Sequence, residues 1–416
     1  MEKFVKPSKI SGQVEAPASK SMVQRALAAA LLAEEPTRIL NVTYSSDAQA
    51  ALRVIKALGA RVVVRDRDVH VEGGLNPTGE VLNCGESGLS MRMFSAVASL
   101  WHRELTLTGE GSLLTRPVSM IEEPLKELGV AVISTNGCPP LTIKGPLQGG
   151  EAEIDGSVSS QFLTGLLIAL PAAPRDSCLR VQNLKSTPYI DMTLTLLKTC
   201  GILVENSDHR VFRIKGNQQY RVGDYRVEGD WSGASFLLVA GALGGSISVT
   251  GLGLSSPQAD RRIMDALKAA GAGVTTAGST VEIKKKELKA FDFDATDCPD
   301  LFPPLVALAC NCTGTTVIKG VERLKHKESN RAAVLQKEFS NLSARIRIDG
   351  DLMKIEGTKL TGGTVDSHND HRIAMAGALA AINAGGEITV AGSECVAKSY
   401  PDFFEDFSGI GGIVHE

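Results

Sequence analysis

Six stretches of the chain repeat one order of hydrophobic and polar positions. Each begins with a short strand-like run, passes through a break rich in Ser, Gly or Asp, and continues as an apolar segment suited to a helix. The helix starts recur roughly every 70 residues and account for nearly the whole chain. Second helical segments lie between them, as at residues 46–60, and end at Gly before alternating, strand-like runs. The pattern therefore predicts six copies of one α/β unit.

A unit of this length is too long for a solenoid repeat and is a small α/β subdomain in itself. Six such units most simply form two domains of three. The helices that follow the breaks are apolar nearly all round, so we expect them to be buried, with the sheets outside. Each break stands at a helix N-terminus, where backbone N–H groups lack partners within the helix. We therefore expect the functional residues at the breaks.

Cations accompany nearly every break. In the first, Lys20, Ser21 and Arg25 stand where the helix dipole already disfavours positive charge. A bound phosphate or carboxylate removes that conflict, although any single Ser or Asp at a break can equally be an ordinary helix cap. Capping does not explain the repeated cations, so we predict a ligand with several anionic groups. The remaining positively charged candidates are Arg92, Arg116, Lys327, Arg331, His371, Arg372 and Lys398.

Two carboxylates lie among these cations, Asp300 in "CPDLFPPL" and Glu328 in "KHKESNR". Carboxylates beside lysines and arginines normally stay ionised, which suits a base or an acid–base pair. From spacing alone, an N-cap for Asp300 and a surface ion pair for Glu328 are the simpler interpretations. His371 is either a proton carrier or a donor to an anion, and the sequence does not favour the first.

Composition narrows the class of partner. The net charge is −3 and the pI is about 6.2, so neither nucleic acid nor a membrane surface is favoured, and any positive site is local. The beginning of the chain has no apolar signal region, and the eight Cys include no CxxC pair, so we expect reduced thiols in the cytoplasm and no structural zinc. Phosphate-loop, GxGxxG, HExxH and GxSxG motifs are absent, and nucleotide triphosphatases, dinucleotide enzymes and serine hydrolases are disfavoured.

The chain resembles the 5-enolpyruvylshikimate-3-phosphate synthase family of enolpyruvyl transferases from about residue 8 to residue 410. The resemblance rests on several motifs in a fixed order, which are "SKSMVQRAL", "RP" at 116–117, "SVSSQFLTGLL", "STPYIDMT", "VEGDWSGASF", "KHKESNR", "NDHRIAMA" and "AKSYPDFF". It implies transfer of the enolpyruvyl group of phosphoenolpyruvate to the 5-hydroxyl of shikimate 3-phosphate, with release of phosphate. This reaction belongs to the shikimate pathway to chorismate and aromatic amino acids. The resemblance also implies no metal, no organic cofactor and a monomer.

The fold implied by the resemblance is an α/β (α+β) two-domain inverse α/β barrel. Each domain has three βαβαββ repeats with buried helices and outer sheets. Residues 1–18 and 228–416 are expected to form a discontinuous domain that contains both termini, and residues 19–227 an inserted domain, with the active site in the cleft between them.

The resemblance also implies roles for individual residues. Asp300 is the implied base for the attacking hydroxyl and Glu328 the acid–base at the methylene carbon, with Lys20 and Lys398 as further catalytic residues. The implied contacts of shikimate 3-phosphate are Lys20, Ser21, Arg25, Ser159, Ser160, Gln161, Ser186, Tyr189, Asp300 and Lys327. The implied contacts of phosphoenolpyruvate are Lys20, Gly88, Arg92, Arg116, Gln161, Arg331, Arg372 and Lys398.

The chain departs from the family where Asn-Ala-Gly-Thr is usual. It has Glu86 and Leu89 at the ends of that stretch, which add a negative charge and remove a hydroxyl. We therefore expect reduced sensitivity to glyphosate, which binds at this stretch in the family. Arg323 and Asn330 also replace the residues common at their positions.

Two alternatives remain at this point. A transferase acting on UDP-N-acetylglucosamine is disfavoured, because the chain has Lys20-Ser21 instead of Lys-Asn and lacks a Cys in residues 110–117. A non-catalytic anion-binding homologue is suggested by Glu86 and Leu89. The retained Lys20, Asp300, Glu328 and Lys398 argue against it.

Overall fold

The computed structural model describes all of the 416 residues except His326. Its α-helices are α1 Lys20–Leu32, α2 Ser46–Ala57, α3 Gly88–Ala98, α4 Glu122–Glu127, α5 Gln161–Ala169, α6 Thr187–Thr199, α7 Trp231–Gly244, α8 Ile263–Ala269, α9 Phe302–Cys310, α10 Arg331–Asn341, α11 His371–Ala381 and α12 Phe403–Gly409. Within the described residues, no helix has the length and apolar character needed to cross a membrane.

The strands are short and spread along the whole chain. They are β1 Glu2–Lys6, β2 Ile10–Glu15, β3 Thr37–Leu40, β4 Arg61–Arg65, β5 Asp68–Glu72, β6 Val81–Asn83, β7 Glu104–Thr108, β8 Ala131–Thr135, β9 Cys138–Lys144, β10 Glu151–Asp155, β11 Ser177–Gln182, β12 Val204–Ser207, β13 Val211–Ile214, β14 Asp224–Arg226, β15 Gly245–Thr250, β16 Gly273–Ala277, β17 Thr280–Lys284, β18 Asp292–Asp294, β19 Thr315–Lys319, β20 Arg345–Asp349, β21 Leu352–Glu356, β22 Gly363–Asp366, β23 Ile388–Ala391 and β24 Ile413–His415.

The chain divides into two compact units. The terminal unit consists of Met1–Pro17 and Glu228–Glu416, and the inserted unit consists of Ala18–Val227. Each unit has three four-stranded sheets. In the terminal unit the strand orders are β16-β17-β15-β2, β18-β19-β21-β20 and β22-β23-β1-β24, and in the inserted unit they are β14-β3-β5-β4, β6-β7-β9-β8 and β10-β11-β13-β12.

All six sheets share one topology. In the sheet of the second repeat, β6 pairs in parallel with β7, which pairs antiparallel with β9, and β9 pairs antiparallel with β8. The parallel pair requires a crossover, which α3 supplies, and α4 then precedes the β8–β9 hairpin. This βαβαββ order is the physical form of the repeat in the hydrophobic pattern.

Two strands depart from chain order. The strand β2, at the start of the chain, pairs in parallel with β15 of the terminal unit, whereas β14 pairs in parallel with β3 of the inserted unit. The helix after β2 therefore belongs to the inserted unit and the helix after β14 to the terminal unit. Both termini lie in one sheet, because β1 pairs with β23 on one side and β24 on the other.

The apolar helices are buried. Every residue of α3, α9 and α11 is buried, because these helices have no continuous polar face to turn toward water. In the inserted unit α3 packs against α1 and α5, and in the terminal unit α11 packs against α7 and α9. The predicted burial of the helices after the breaks is thus confirmed, and so is the α/β fold class.

Side-chain caps occur at only some of the breaks. Ser87, Asp230 and Asp370 each accept a hydrogen bond from a backbone N–H in the first turn of α3, α7 and α11. Ser19 and Ser160 make no such bond before α1 and α5. The capping interpretation is therefore correct for three breaks and insufficient for the others.

One glycine permits the close approach of α3 and α5. A Cβ atom on Gly165 of α5 would stand 2.5 Å from the carbonyl oxygen and 2.8 Å from the Cα atom of Met93 in α3. Backbone atoms in packed helices cannot move aside independently, so a side chain here would push the two helices apart.

We expect Gly165→Ala to lower the free energy of unfolding by about 1 to 3 kcal/mol through overpacking. Urea denaturation measures the change. Gly79→Ala is the matched control, because a Cβ atom on Gly79 has no neighbour within 4 Å. Equal stability of the two variants would contradict this account of the α3–α5 contact.

Candidate functional site

Six charged residues of the terminal unit form a hydrogen-bonded group, called the Asp300 cluster below. Asp300 lies in a 3-10 turn, Pro299–Leu301, directly before α9. Arg331 is the first residue of α10, and Asp370 caps α11. Three separate segments therefore bring the group together. Its members are Asp300, Lys327, Glu328, Arg331, Asp370 and Arg372.

Asp300 accepts hydrogen bonds from three cations. Its Oδ1 receives Lys327 Nζ at 3.2 Å and Arg331 Nη1 at 2.8 Å, and its Oδ2 receives Arg372 Nη2 at 3.2 Å. Burial alone would raise the pKa of Asp300, but these cations outweigh burial and hold the pKa well below its usual value. Asp300 is therefore an ionised acceptor. It is not the N-cap of α9, the place of which Leu301 takes.

Arg331 connects the cluster. Its guanidinium is fully buried and donates from Nε and Nη2 to the two oxygens of Asp370, at 2.9 and 3.2 Å. The same Nη2 donates to Glu328 Oε2 at 2.6 Å. Burial by itself would lower the pKa of Arg331, but Asp370, Glu328 and Asp300 together raise it. Glu328 is thus part of a partly buried ion pair and not of a surface pair.

Arg372 completes the cluster, and Lys398 lies beside it. Burial would lower the pKa of Arg372, but Asp300 outweighs it and the pKa is raised. The Nη1 atom of Arg372 is buried and has no hydrogen-bond acceptor among the described residues. Because buried donors are nearly always satisfied, an unsatisfied guanidinium N–H favours an anionic ligand. Lys398 Nζ donates to the carbonyl oxygen of Asn369 at 2.8 Å.

In the inserted unit, Lys20 begins α1. Its Nζ forms an ion pair with Asp47 Oδ2 at 2.8 Å, and both side chains are largely buried. The unfavourable position of a cation at a helix start is therefore balanced by a carboxylate of α2. The sequence interpretation, which invoked a bound anion, did not include this partner.

Arg25 lies inside the inserted unit. Its Nε donates to Thr193 Oγ1 at 3.0 Å, its Nη1 to the carbonyl oxygen of Ser21 at 2.9 Å, and its Nη2 to that of Tyr189 at 3.2 Å. A longer contact of 3.4 Å joins Nη2 to Thr164 Oγ1. None of these partners is a carboxylate, and burial lowers the pKa of Arg25 to about 10. Arg25 therefore holds α1, α5 and α6 together and retains an uncompensated positive charge.

A second group converges on the start of α3 and is called the Gly88 cluster, composed of Gly88, Arg92, Arg116 and Gln161. Arg92 Nη1 donates to Gln161 Oε1 at 2.7 Å, and Arg92 Nη2 to the carbonyl oxygen of Pro117 at 3.0 Å. A Cβ atom on Gly88 would stand 3.0 Å from Arg92 Nη1 and 3.1 Å from Arg116 Nη1. Two mostly buried guanidinium groups thus lie over a position without a side chain.

The two residues that depart from the family pattern flank this cluster. Glu86 Oε2 accepts hydrogen bonds from the backbone N–H and the hydroxyl of Ser112, both at 3.1 Å. Arg116 Nη2 donates to the same hydroxyl oxygen at 3.3 Å. Leu89 is buried in the hydrophobic core. Glu86 therefore supports the turn that carries Arg116, and Leu89 contributes to packing.

The other predicted residues stand at the starts of α5 and α6. Ser159 Oγ accepts the backbone N–H of Gln161 at 3.2 Å, and Ser160 occupies the N-cap position of α5. Ser186 precedes α6 in the left-handed conformation, with φ of 57°, and its carbonyl oxygen accepts the N–H of Tyr189 at 3.1 Å. A left-handed residue other than Gly is strained, and such strain concentrates at functional sites.

The structure thus brings two sets of predicted residues together, which are Asp300, Lys327, Glu328, Arg331 and Arg372 in the terminal unit and Gly88, Arg92, Arg116 and Gln161 in the inserted unit. It also identifies residues that the sequence interpretation missed. Asp370 stands within the quoted motif "NDHR" and could have been found there as the acid among several cations. Asp47, Thr164 and Thr193 lie in ordinary helical segments, and no local sequence signal distinguishes them.

Comparison with known proteins gives a consistent result. The family model for EPSP synthase (3-phosphoshikimate 1-carboxyvinyltransferase) matches residues 5–407. A 3-phosphoshikimate 1-carboxyvinyltransferase of Methanocorpusculum labreanum is 39% identical over the full length of both chains, and one of Clostridium novyi is 37% identical over 99% of this chain and 97% of its own. The solved structure of an EPSP synthase from Acinetobacter baumannii covers both chains completely, with a TM-score of 0.83 and 26% identity. The chain therefore belongs to the EPSP synthase family.

Proposed function

We propose that this protein transfers the enolpyruvyl group of phosphoenolpyruvate to the 5-hydroxyl of shikimate 3-phosphate and releases phosphate. The full-length similarity to 3-phosphoshikimate 1-carboxyvinyltransferases supports the reaction. The observation that carries the proposal is the Asp300 cluster, in which a carboxylate held by three cations lies beside Glu328 on the same arginine. Such a group can bind anions, accept a hydroxyl proton and exchange a proton with carbon.

The two substrates together carry two phosphates and two carboxylates, which explains the number of cations. We assign phosphoenolpyruvate to the Gly88 cluster together with Lys20, Arg331, Arg372 and Lys398. The free donor on Arg372 Nη1 supports this assignment. We assign shikimate 3-phosphate to Lys20, Ser21, Arg25, Ser159, Ser160, Gln161, Ser186, Tyr189, Asp300 and Lys327. Fixed cations of this kind stabilise charge that develops during the reaction without reorganising.

Asp300 acts on the attacking hydroxyl in this proposal. Its lowered pKa makes it a weak base toward a free alcohol. The hydroxyl becomes strongly acidic only as its oxygen bonds to the electron-poor carbon of the enolpyruvyl group. Asp300 therefore orients the hydroxyl first and receives the proton as the carbon–oxygen bond forms.

Glu328 exchanges a proton with the methylene carbon of the enolpyruvyl group in this proposal. It adds a proton to form the methyl group of the tetrahedral intermediate and removes one when phosphate leaves. In the structure its carboxylate is held by Arg331 Nη2. An anionic substrate that binds Arg331 competes for that donor, which favours the protonated form of Glu328 when substrate is present. Lys398 lies near the same part of the cluster through Asn369 and is the second proton donor to be tested.

We also propose that the protein works as a cytoplasmic monomer on small molecules, without a nucleic acid or membrane partner. Its eight cysteines are free thiols, which suits a reducing compartment. The net charge of −3 does not favour a polyanionic partner. Analytical ultracentrifugation with and without substrates tests the oligomeric state.

Asp260 lies behind the cluster. It is buried and accepts a hydrogen bond from the Ser232 hydroxyl at the start of α7. Burial, and next the negative charge of Asp300, raise its pKa to about 6, although Arg372 opposes the change. The folded protein therefore keeps a proton on Asp260 at pH values where the unfolded chain has released it.

We expect Glu328→Gln to abolish most turnover, by about 100-fold or more, while shikimate 3-phosphate still binds, because only proton exchange is lost. Phosphate release from phosphoenolpyruvate and shikimate 3-phosphate measures turnover, and calorimetry measures binding. UDP-N-acetylglucosamine serves as the parallel acceptor and should give no release. Glu322→Gln, at an exposed glutamate nearby, is the control. Unchanged turnover in Glu328→Gln would refute the assigned role.

We expect Gly88→Ala to raise the KM for phosphoenolpyruvate by about 10-fold, since the added methyl group displaces Arg92 and Arg116 by a few tenths of an ångström. The KM for shikimate 3-phosphate and the melting temperature should change little, and Gly79→Ala serves again as control.

Glyphosate inhibition of the unsubstituted protein, measured in the same assay, tests the expected reduced sensitivity. Inhibition as tight as in sensitive family members would contradict it.

We expect Asp260→Asn to change how stability depends on pH. Between about pH 4 and pH 6 the folded state retains the Asp260 proton, so this group's contribution to stability falls as pH rises through that range. Asn does not titrate. The variant should therefore gain on the order of 1 to 3 kcal/mol relative to the unsubstituted protein from pH 4 to pH 7. Urea denaturation across this range measures the free energy of unfolding, and Asp265→Asn is an exposed control. If the curves of stability against pH are parallel for Asp260→Asn and the unsubstituted protein, the expectation is wrong.

A further inference from the structure

The segment from the last residue of β22 to the start of α11, residues 366–370, contains two left-handed residues in succession. His368 and Asn369 are consecutive residues in the left-handed conformation, with φ of 48° and 56°. Neither is Gly, and each non-Gly residue in this region costs conformational energy. Contacts on both sides hold this pair in place. We call these residues the 366–370 loop.

The loop carries groups of the Asp300 cluster at its end. The carbonyl oxygen of Asn369 holds Lys398 Nζ at 2.8 Å, and Asp370 holds Arg331 through both carboxylate oxygens. The helix that follows begins with His371 and Arg372. The conformation of the loop therefore sets the direction of Lys398 and Arg372.

Glu338 holds the other end of the loop. Its Oε2 accepts the backbone N–H of Asp366 at 3.0 Å, and its Oε1 is 2.8 Å from Nε2 of His368. Glu338 lies on α10, two helical turns beyond Arg331, which is about 10 Å along the axis. One helix thus holds the loop at two points, through Arg331 to Asp370 and through Glu338 to His368.

The side chain of Glu338 is only 3% exposed. Burial would raise its pKa, but the hydrogen bonds from His368 and from the N–H of Asp366, together with Lys337, outweigh burial and lower it. A buried, ionised carboxylate is a poor way to gain stability, since an apolar side chain of similar volume often does as well. An ionised Glu338 at this place suits a role in fixing the geometry of the 366–370 loop.

We propose that Glu338 and His368 are positioning residues for the reaction, which fix the 366–370 loop so that Arg372 and Lys398 face phosphoenolpyruvate. Neither residue touches substrate in this proposal. The inference rests on the proposed assignment of Arg372 and Lys398 to phosphoenolpyruvate. It predicts that loss of either side chain affects that substrate and leaves shikimate 3-phosphate binding nearly unchanged.

Two variants of the full-length protein test the pair by steady-state kinetics. Glu338→Ala removes the carboxylate, and His368→Asn removes the imidazole but keeps a residue that tolerates the left-handed conformation. Each should raise the KM for phosphoenolpyruvate by about 10- to 100-fold, because a misplacement of about 1 Å can cost about 100-fold. The KM for shikimate 3-phosphate should stay within about threefold. The double variant should be no worse than the more affected single variant, because both changes remove one interaction.

Three further variants make the result decisive. Lys337→Ala removes an exposed ion-pair partner of Glu338 and should leave both KM values unchanged. Arg372→Ala should raise the KM for phosphoenolpyruvate, and if it does not, the assignment of the substrate has failed. Glu338→Gln serves if Glu338→Ala does not fold, since the amide oxygen can still accept the N–H of Asp366. If Arg372→Ala raises the KM for phosphoenolpyruvate but the folded Glu338 and His368 variants do not, the positioning role alone is overturned. Equal effects of these variants on the KM values of both substrates would also overturn it.

Discussion

The arrangement of the terminal unit depends on compensating one buried charge, that of the Arg331 guanidinium. Moving a guanidinium into the interior is costly, and here carboxylates on three separate segments compensate for it. The turn before α9, the segment before α10 and the cap of α11 must all be in place for this to work. The ion pair with Arg331 consequently helps to fix the position of Asp300. The same constraint holds Glu328, whose carboxylate accepts a hydrogen bond from Arg331 Nη2.

The inserted unit treats its buried arginine in the opposite way. Arg25 is satisfied by hydroxyl and carbonyl oxygens and by no carboxylate. The pKa of Arg25 therefore falls with burial, whereas that of Arg331 rises because three carboxylates outweigh burial. The charge of Arg331 is neutralised locally by three carboxylates, while the described partners of Arg25 are hydroxyl and carbonyl oxygens. Two residues of the same type thus serve different purposes, decided by their acceptors.

Much of the fold could be predicted from the sequence, because helices that are apolar nearly all round must be buried, and the repeated strands are then left to cover them. The cations of the site could be found because they recur at helix starts. The partners of those cations could not. Arg25 and Thr193 are 168 residues apart, and Arg372 and Asp300 are 72 apart, so no periodicity connects them. Glu86 was expected to oppose anion binding by its charge, whereas its carboxylate is engaged by Ser112. A local sequence pattern gives the sign of a charged side chain but not the partner with which it interacts.

The starts of the helices show how a chain of net charge −3 can bind anions. In the terminal unit, α7 and α11 begin with Asp caps, which satisfy the first N–H groups and offset the helix dipole. In the inserted unit, α1 and α5 begin without a capping side chain, beside Lys20 and Gln161. Among the first donors of these helices, the N–H of Gln161 is bonded to Ser159 Oγ, whereas α1 has no side-chain cap. Cations and backbone donors placed locally at helix starts thus require no excess of basic residues in the chain.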